Sequence, residues 1–446
     1  MASATRFDVL IAGGGSAGCV LGARLGESGR RVGLVEAGPD YGPYDGGRWP
    51  ADILDARSLA FSHSWETDGE DRSQLRARIL GGCSAHNACV LLPGAPADYD
   101  EWGHGWSHDA IEPYLRRAAH QLRTRRIGRE ELSPWHAAFA EAAGRDAILH
   151  PVNAVGTVRW NAAFAYLDAA RGRENLTILG DTLVDRVLLD GDRAIGLATS
   201  AGELLGDTVV LSAGAYGSPG ILLRSGIGPG RGLPVGEGLC DHVGVGFGFE
   251  GTQRLEREAA DYEREHPLFM SQVTVALASS VCEAGLCDLF YFPSLERGAD
   301  GELEVSSAVF AMKPRSRGSV QLNSPDPRAP LAIDHGFLAE PQDAAVLAEG
   351  VERLRELVAG EPVAAYAGRE LRPGPQVGAR EHVEASARGF FHPVGTCAIG
   401  SVVDGGGRVL GLDGLVVADA SIMPTIPRAN TNLSTLALAE RLAERI

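Results

Sequence analysis

One stretch near the start, FDVLIAGGGSAGCVLGARL (residues 7–25), limits the fold more than anything else in the chain. Phe7 to Ala12 is a short apolar run suited to a buried strand, Gly13-x-Gly15-x-x-Gly18 follows, and the next apolar residues fall at helical spacing. Gly13 permits a tight turn, Gly15 lets the backbone touch a pyrophosphate, and Gly18 lets helix and strand pack closely. The helix start would turn unpaired N–H groups and its positive dipole end toward the phosphates. A second apolar run, RVGLV, ends on Glu36, whose carboxylate would accept the hydroxyls of an adenosine ribose. A lone G-x-G-x-x-G is weak, because glycine turns are common. Strand, glycines, helix, second strand and terminal acid together define a dinucleotide cradle. NAD and FAD share that cradle, and Glu36 argues only against the 2′-phosphate of NADP. The Gly/Pro-rich run that follows, YGPYDGGRWP, is unlike a compact NAD domain and indicates a chain that leaves the sheet early.

Charge and cysteine usage narrow the class. The 446 residues suit two interleaved domains or a large α/β fold with insertions. With 41 basic and 58 acidic side chains the formal charge is −17, which argues against nucleic acid as a partner. Lys313 is the only lysine and no basic cluster flanks an apolar helix, so membrane-surface docking has no support. No run approaches the roughly 18 apolar residues of a membrane span. Seven cysteines without a C-x-x-C pair fit neither a disulfide framework nor a zinc ribbon. No metal is expected, and the compartment expected is the reducing cytoplasm. MASATRFDVLIAGGG could pass for a signal peptide, but its apolar run is short and leads straight into the fingerprint.

Past residue 100 the organisation is discontinuous. Residues 107–147 are expected to be helical, opening on a Ser or Asp cap. Residues 176–200 alternate as strands about an Asp190-Gly191 hairpin turn, and 208–228 combine a buried strand, a Gly-rich turn and a helix. SQVTVALASS, CDLFYFP, VSSAVFAM and GSVQL are strand candidates, and PQDAAVLAEGVERLRELVAG is a helix. GLVVADASIMP is a strand and turn, followed by a final helix from Asn432 with Leu433, Leu436, Ala439 and Leu442 on one face.

Six motifs in order carry a family resemblance: GGGSAG with EAG, RILGGCSAHN, GAYGSPGILLRSGIGPG, LPVGEGLCDH, FHPVGTCAIG and ADASIMPTIPRANTNLST. The chain resembles the glucose–methanol–choline (GMC) oxidoreductases, FAD-dependent alcohol oxidases and dehydrogenases, and is nearest the choline oxidase branch over residues 76–90. The resemblance implies a mixed α/β fold. A Rossmann-like FAD-binding domain would come from 1–105, 155–240 and 385–446, and a substrate-binding domain built on an antiparallel sheet from 106–154 and 241–384. It implies that Gly13, Gly15, Ser16, Gly18, Glu36, Gly82, His86 and Asn87 hold FAD. The backbone of Val184, the stretch at Asp419 and Ala420, and the helix start at Asn432 would complete the site. In the choline oxidase branch the histidine matching His86 is joined covalently to the flavin, so a tether and a non-covalent ring neighbour both stay open. Between Glu130 and Asn161 the chain is shorter than most of the family.

By the same resemblance His392 and Asn430 are the catalytic pair. His392 precedes a proline, which disfavours regular helix there. Moving hydride from an alcohol carbon is easier while the hydroxyl loses its proton, and a neutral imidazole accepts protons near neutral pH. The amide of Asn430 would hold the same oxygen and stabilise developing charge. Phe390 and Phe391 would wall the pocket, and Cys83 and Cys397 would be small buried hydrophobes. Trp65 matches an aromatic that encloses a cation in the choline oxidase branch, although packing is the preferred role here. The expected activity is FAD-dependent oxidation of a primary or sugar-type hydroxyl to an aldehyde or ketone, with O₂ or another electron acceptor. The rivals are a hydroxynitrile lyase or photodecarboxylase on the same fold, a nicotinamide dehydrogenase and a cofactor-storing protein. A hydrolase is disfavoured, since GGCSAH breaks the G-x-S-x-G elbow.

Overall fold

A computed structural model describes residues 6–65, 74–298 and 300–446. The first five residues of the leader-like stretch lie outside them. The fingerprint strand is Arg6–Ala12; it pairs in parallel with Val32–Val35 on one side and Gly202–Leu211 on the other. Leu176–Leu179 extends the sheet past Val32–Val35, and Leu415–Val417 lies beside Gly202–Leu211, again in parallel. Parallel strands are covered on both faces, which is why their sequences are almost unbroken apolar runs. The expected hairpin forms as Val184–Asp190 and Arg193–Thr199, with Gly191 at φ +60° in the turn. The first helix, Ser16–Glu27, packs on the last, Thr431–Ala443, so the two ends of the sequence share one core.

A second sheet is antiparallel throughout, in the order Ala367–Arg372, Val243–Gly251, Leu303–Ala311, Leu289–Arg297, Val273–Leu277, Ala147–Leu149. Strand alternation sorts its side chains. Val243, Val245, Phe247, Leu289, Tyr291, Val305 and Val309 join one core with Trp135 and Phe139 of the helix Pro134–Ala143 and Leu347, Val351 and Leu354 of the helix Pro341–Ala359. The intervening Phe290, Phe292 and Phe310 point the other way, into a separate cluster with Phe390 and Ala429. The helices therefore cover the back of this sheet, while its front meets the segments that carry His392 and Asn430.

One local expectation needs correction. Residues 107–147 hold two helices, not one: His108–Gln121, capped by Ser107, and Pro134–Ala143. Between them the chain is irregular, Pro134 restarts the helix where proline is best tolerated, and Ala147–Leu149 is drawn into the second sheet by pairing with Val273–Leu277. Ile111, Leu115, Ala118 and Leu122 pack into the core of the first sheet. Among the described residues no helix is long and apolar enough to cross a membrane.

Candidate active site

His392 and Asn430, 38 positions apart, meet in front of the second sheet with Asn430 Nδ2 3.4 Å from His392 Nε2. Asn430 is the N-cap of the final helix, yet its side chain makes no capping bond and its buried Oδ1 has no partner. It is turned toward the histidine and not toward its own helix.

A second histidine fixes the first. His242 Nε2 lies 2.9 Å from the Pro427 carbonyl oxygen, which can only accept, so that nitrogen carries the proton. Its Nδ1 is then an acceptor, 3.0 Å from His392 Nδ1, which must donate. These assignments follow from the hydrogen-bond network. They leave a lone pair on His392 Nε2, facing the Asn430 amide. Burial alone holds His392 down to about 3, and burial together with the neighbouring His392 holds His242 well below its ordinary value, so both rings are neutral.

Asp241 anchors the turn. Its carboxylate is buried and accepts the His392 amide at 3.0 Å, with the amides of Phe390, Phe391 and His242 also turned to it. Burial raises it to about 7, against the pull of those amides. Phe391 has φ +61°, a left-handed conformation that costs a bulky residue about 1–3 kcal/mol and persists only where its surroundings enforce it. The ligand atoms of Asp241, His242 and His392 come within 4.8 Å of one another, as a metal site would require. The carboxylate is already engaged by backbone amides and the two histidines bond each other Nδ1 to Nδ1, so a metal would have to displace those bonds. Sequence reading passed over Asp241 and His242; LPVGEGLCDH served only as a landmark, although an Asp-His pair directly after a glycine turn was a usable signal.

The cradle lies along the first sheet. Gly13 has φ +101°, and a methyl on Gly18 would stand 1.9 Å from the Gly13 carbonyl oxygen. A methyl on Gly15 would meet only the Gly82 Cα, at 3.8 Å, so it points into an open backbone slot. Ser16 Oγ donates to Asn432 Oδ1 at 2.7 Å and joins the starts of the first and last helices. Glu36 accepts the amides of Gly14 and Gly38, each at 2.8 Å, and burial raises it to about 7. The Thr182 amide bonds the Glu36 carbonyl, which brings the strand beginning at Val184 alongside. Asp419 spends its carboxylate inward on Ser218, Gly214 and Ser421, leaving only backbone at 419–420 for a ligand.

In the segment GGCSAHNACV, the Asn87 side-chain carbonyl is taken by the Cys89 amide at 3.0 Å, leaving its NH₂ free to donate. His86 is buried and lowered to about 4; the Ser62 backbone opposes that shift, but neither ring nitrogen makes a hydrogen bond. Asn161 Nδ2, Asn432 Nδ2 and Ser421 Oγ are likewise buried without partners. Buried polar atoms are normally satisfied, and these unpartnered atoms with the Gly15 slot are compatible with a long polar ligand and fit FAD. Cys397 is buried as expected, but Cys83 is exposed, on the short turn Gly82–Ala85. Trp65 lies between Arg76 and Arg78, with guanidinium carbons 5.1 Å and 5.2 Å from its ring.

A dinucleotide cradle together with a neutral histidine and an asparagine defines an oxidoreductase of the Rossmann-like kind. The chain belongs to the GMC oxidoreductase family: models of the family's N- and C-terminal parts match residues 7–244 and 314–439. FAD is the cofactor of this family. The chain is 32% identical to the 5-(hydroxymethyl)furfural oxidase of Methylovorus sp. (strain MP688) over 538 aligned residues, covering 99% of each protein. It is also 32% identical to the oxygen-dependent choline dehydrogenase of Serratia proteamaculans (strain 568), over 99% of this chain and 95% of that one. The solved pyridoxine 4-oxidase from Mesorbium loti superposes with a TM-score of 0.83 at 27% identity, over 98% of both chains. The 446 residues thus reach both ends of longer relatives with internal segments left out.

Proposed function

We propose that the protein oxidises an alcohol to the aldehyde or ketone, with His392 as the base and Asn430 holding the substrate oxygen. The observation that carries this is the placing of His392 Nε2, left as an acceptor by the His242–Pro427 bond, 3.4 Å from the Asn430 amide nitrogen. Bound FAD supplies the hydride acceptor, and Gly13, Gly15, Ser16, Gly18, Glu36, Gly82, Asn87, Val184, Asp419, Ala420 and Asn432 are assigned to hold it. His392 takes the hydroxyl proton at Nε2, while Asn430 Nδ2 donates to the oxygen left behind. A buried imidazolium is costly, so that proton moves only as the carbon gives up its hydride. The N-terminus of Thr431–Ala443 adds a positive dipole end where negative charge arrives.

His86, neutral and with both ring nitrogens free, is assigned a covalent bond to the cofactor. After acid precipitation the colour should stay with the pellet; colour in the supernatant removes the tether and leaves the activity standing. The domains are assigned as 1–105, 155–240 and 385–446 for FAD and 106–154 and 241–384 for substrate. Seven free thiols favour the cytoplasm. The acceptor that reoxidises the enzyme is O₂ or another oxidant.

The test is anaerobic mixing of His392→Ala with a competent alcohol. Flavin bleaching should slow by about 10²- to 10⁴-fold with FAD content unchanged. Undiminished bleaching would sink the base assignment, and release of aldehyde and cyanide from a cyanohydrin without bleaching would point to lyase chemistry.

A further inference from the structure

Lys313 is the only lysine among 41 basic side chains; arginine stands at every other basic position. It lies two residues past the strand Leu303–Ala311 of the second sheet, and its half-buried ammonium reaches three acceptors. Glu101 Oε2 is 2.7 Å away, the Ile426 carbonyl oxygen 2.9 Å and Asp98 Oδ1 3.3 Å. The three N–H groups of an ammonium diverge from one atom, so a single nitrogen can serve acceptors on three sides. A guanidinium spreads its donors along a planar fork, which suits one carboxylate and not this arrangement.

What this ammonium holds is the segment that leads to Asn430. The Ile426 carbonyl lies immediately before Pro427, and the Arg428 amide immediately after it donates to Asp98 Oδ2 at 2.8 Å. Asp98 is fully buried on the short helix Pro96–Asp100 and also pairs with the Arg428 guanidinium. Trp102 Nε1 donates to the Thr425 carbonyl at 3.0 Å. The Pro427 carbonyl and the Arg428 N–H belong to one planar peptide and point opposite ways. Asp98, by holding the N–H, therefore aims the carbonyl at His242 Nε2, 2.9 Å away. Lys313 holds both Asp98 and the peptide before Pro427, and its charge also acts against protonation of His242.

Resting on the assignment of His392 as the base, we propose that Lys313 is a positioning residue for alcohol oxidation. It locks the peptides on either side of Pro427, so that the Pro427 carbonyl fixes the tautomer of His242 and, through it, the free Nε2 of His392. It exchanges no proton with the substrate and acts only through Ile426, Asp98 and Pro427. Without it the peptide before Pro427 is free to turn, and the base loses its defined tautomer while the cradle on the first sheet keeps its shape.

The holoenzymes of Lys313→Arg, Lys313→Met and Lys313→Ala should be mixed anaerobically with an alcohol that bleaches the parent. The limiting rate per bound flavin, KM and the FAD-to-protein ratio are then compared. Lys313→Arg and Lys313→Met should lower the limiting rate about 10- to 100-fold, the loss that follows a displacement of about 1 Å, with KM within about 3-fold and FAD content unchanged. A cavity of about 110 Å³ lined by Lys313, Arg428 and Cys282 gives a small amine access. n-Propylamine replaces the atoms missing from Lys313→Ala and should restore part of the rate, whereas tetramethylammonium, a cation without N–H groups, should not. Parental rates per flavin in Lys313→Arg or Lys313→Met, no recovery with n-propylamine, or equal recovery with tetramethylammonium would each overturn the positioning role. Variants that fail to fold, or that lose FAD in step with activity, overturn it as well and leave a structural brace. A parent that no alcohol bleaches overturns alcohol oxidation itself.

Discussion

Gly15→Ala adds a methyl whose nearest neighbour would be the Gly82 Cα at 3.8 Å, on a residue with an ordinary φ of −75°. Alanine is a poorer N-cap than glycine, but it also lowers the entropy of the unfolded chain, and the two effects nearly cancel within about 1 kcal/mol. Gly18→Ala, three residues on, puts its methyl 1.9 Å from the Gly13 carbonyl oxygen, which is backbone and cannot rotate away. Relief needs a shift of more than about 1 Å between helix and strand, at a cost of about 3 kcal/mol or more. For a domain of this size that lowers Tm by about 5–10 °C. The two variants should therefore fail differently in thermal unfolding of apoprotein and in flavin-to-protein absorbance ratio. Gly15→Ala should melt within about 3 °C of the parent yet lose most of its FAD, because its methyl stands in the slot assigned to the pyrophosphate. Gly18→Ala should lose both. Full FAD occupancy in Gly15→Ala would refute the slot, and an unchanged Tm in Gly18→Ala would refute the close packing.

Two further outcomes follow from the histidine pair. With His392 held down to about 3, flavin reduction should change less than about 2-fold between about pH 8 and pH 5. A lowered pKa keeps the base neutral as pH falls, whereas an imidazole at its ordinary value near 6.5 would lose about 30-fold over that span. His242→Phe removes the acceptor that fixes the His392 tautomer and should slow reduction on the order of 100-fold at constant FAD content. His242→Asn, which can donate to Pro427 and accept from His392, should recover part of that rate.

The cradle was legible because each part is local. Gly13, Gly15 and Gly18 sit on one turn, and Glu36 is fixed by the register of two adjacent strands. The meeting of His392 and Asn430 was legible only through resemblance: nothing between them states that residues 38 positions apart converge. Asp241 and His242 stayed hidden for the same reason, since their partners at 390–392 and 427 are long-range. The apolar stripe of the helix His108–Gln121 says that it packs, not against what; the core of the first sheet is long-range in sequence. The phenylalanine cluster in front of the second sheet needed the strand register, which separates Phe290 and Phe292 from Tyr291 between them.

The bond from Ser16 to Asn432 spans 416 positions and has a consequence for the order of assembly. A ribosome delivers Ser16 near the start of synthesis and Asn432 near its end. The emerging first strand and helix therefore offer the nucleotide only half a clasp while most of the polypeptide is still being made. Cofactor capture becomes a late, post-translational event, and losing the last helix would release an apoprotein, not a weakened holoenzyme.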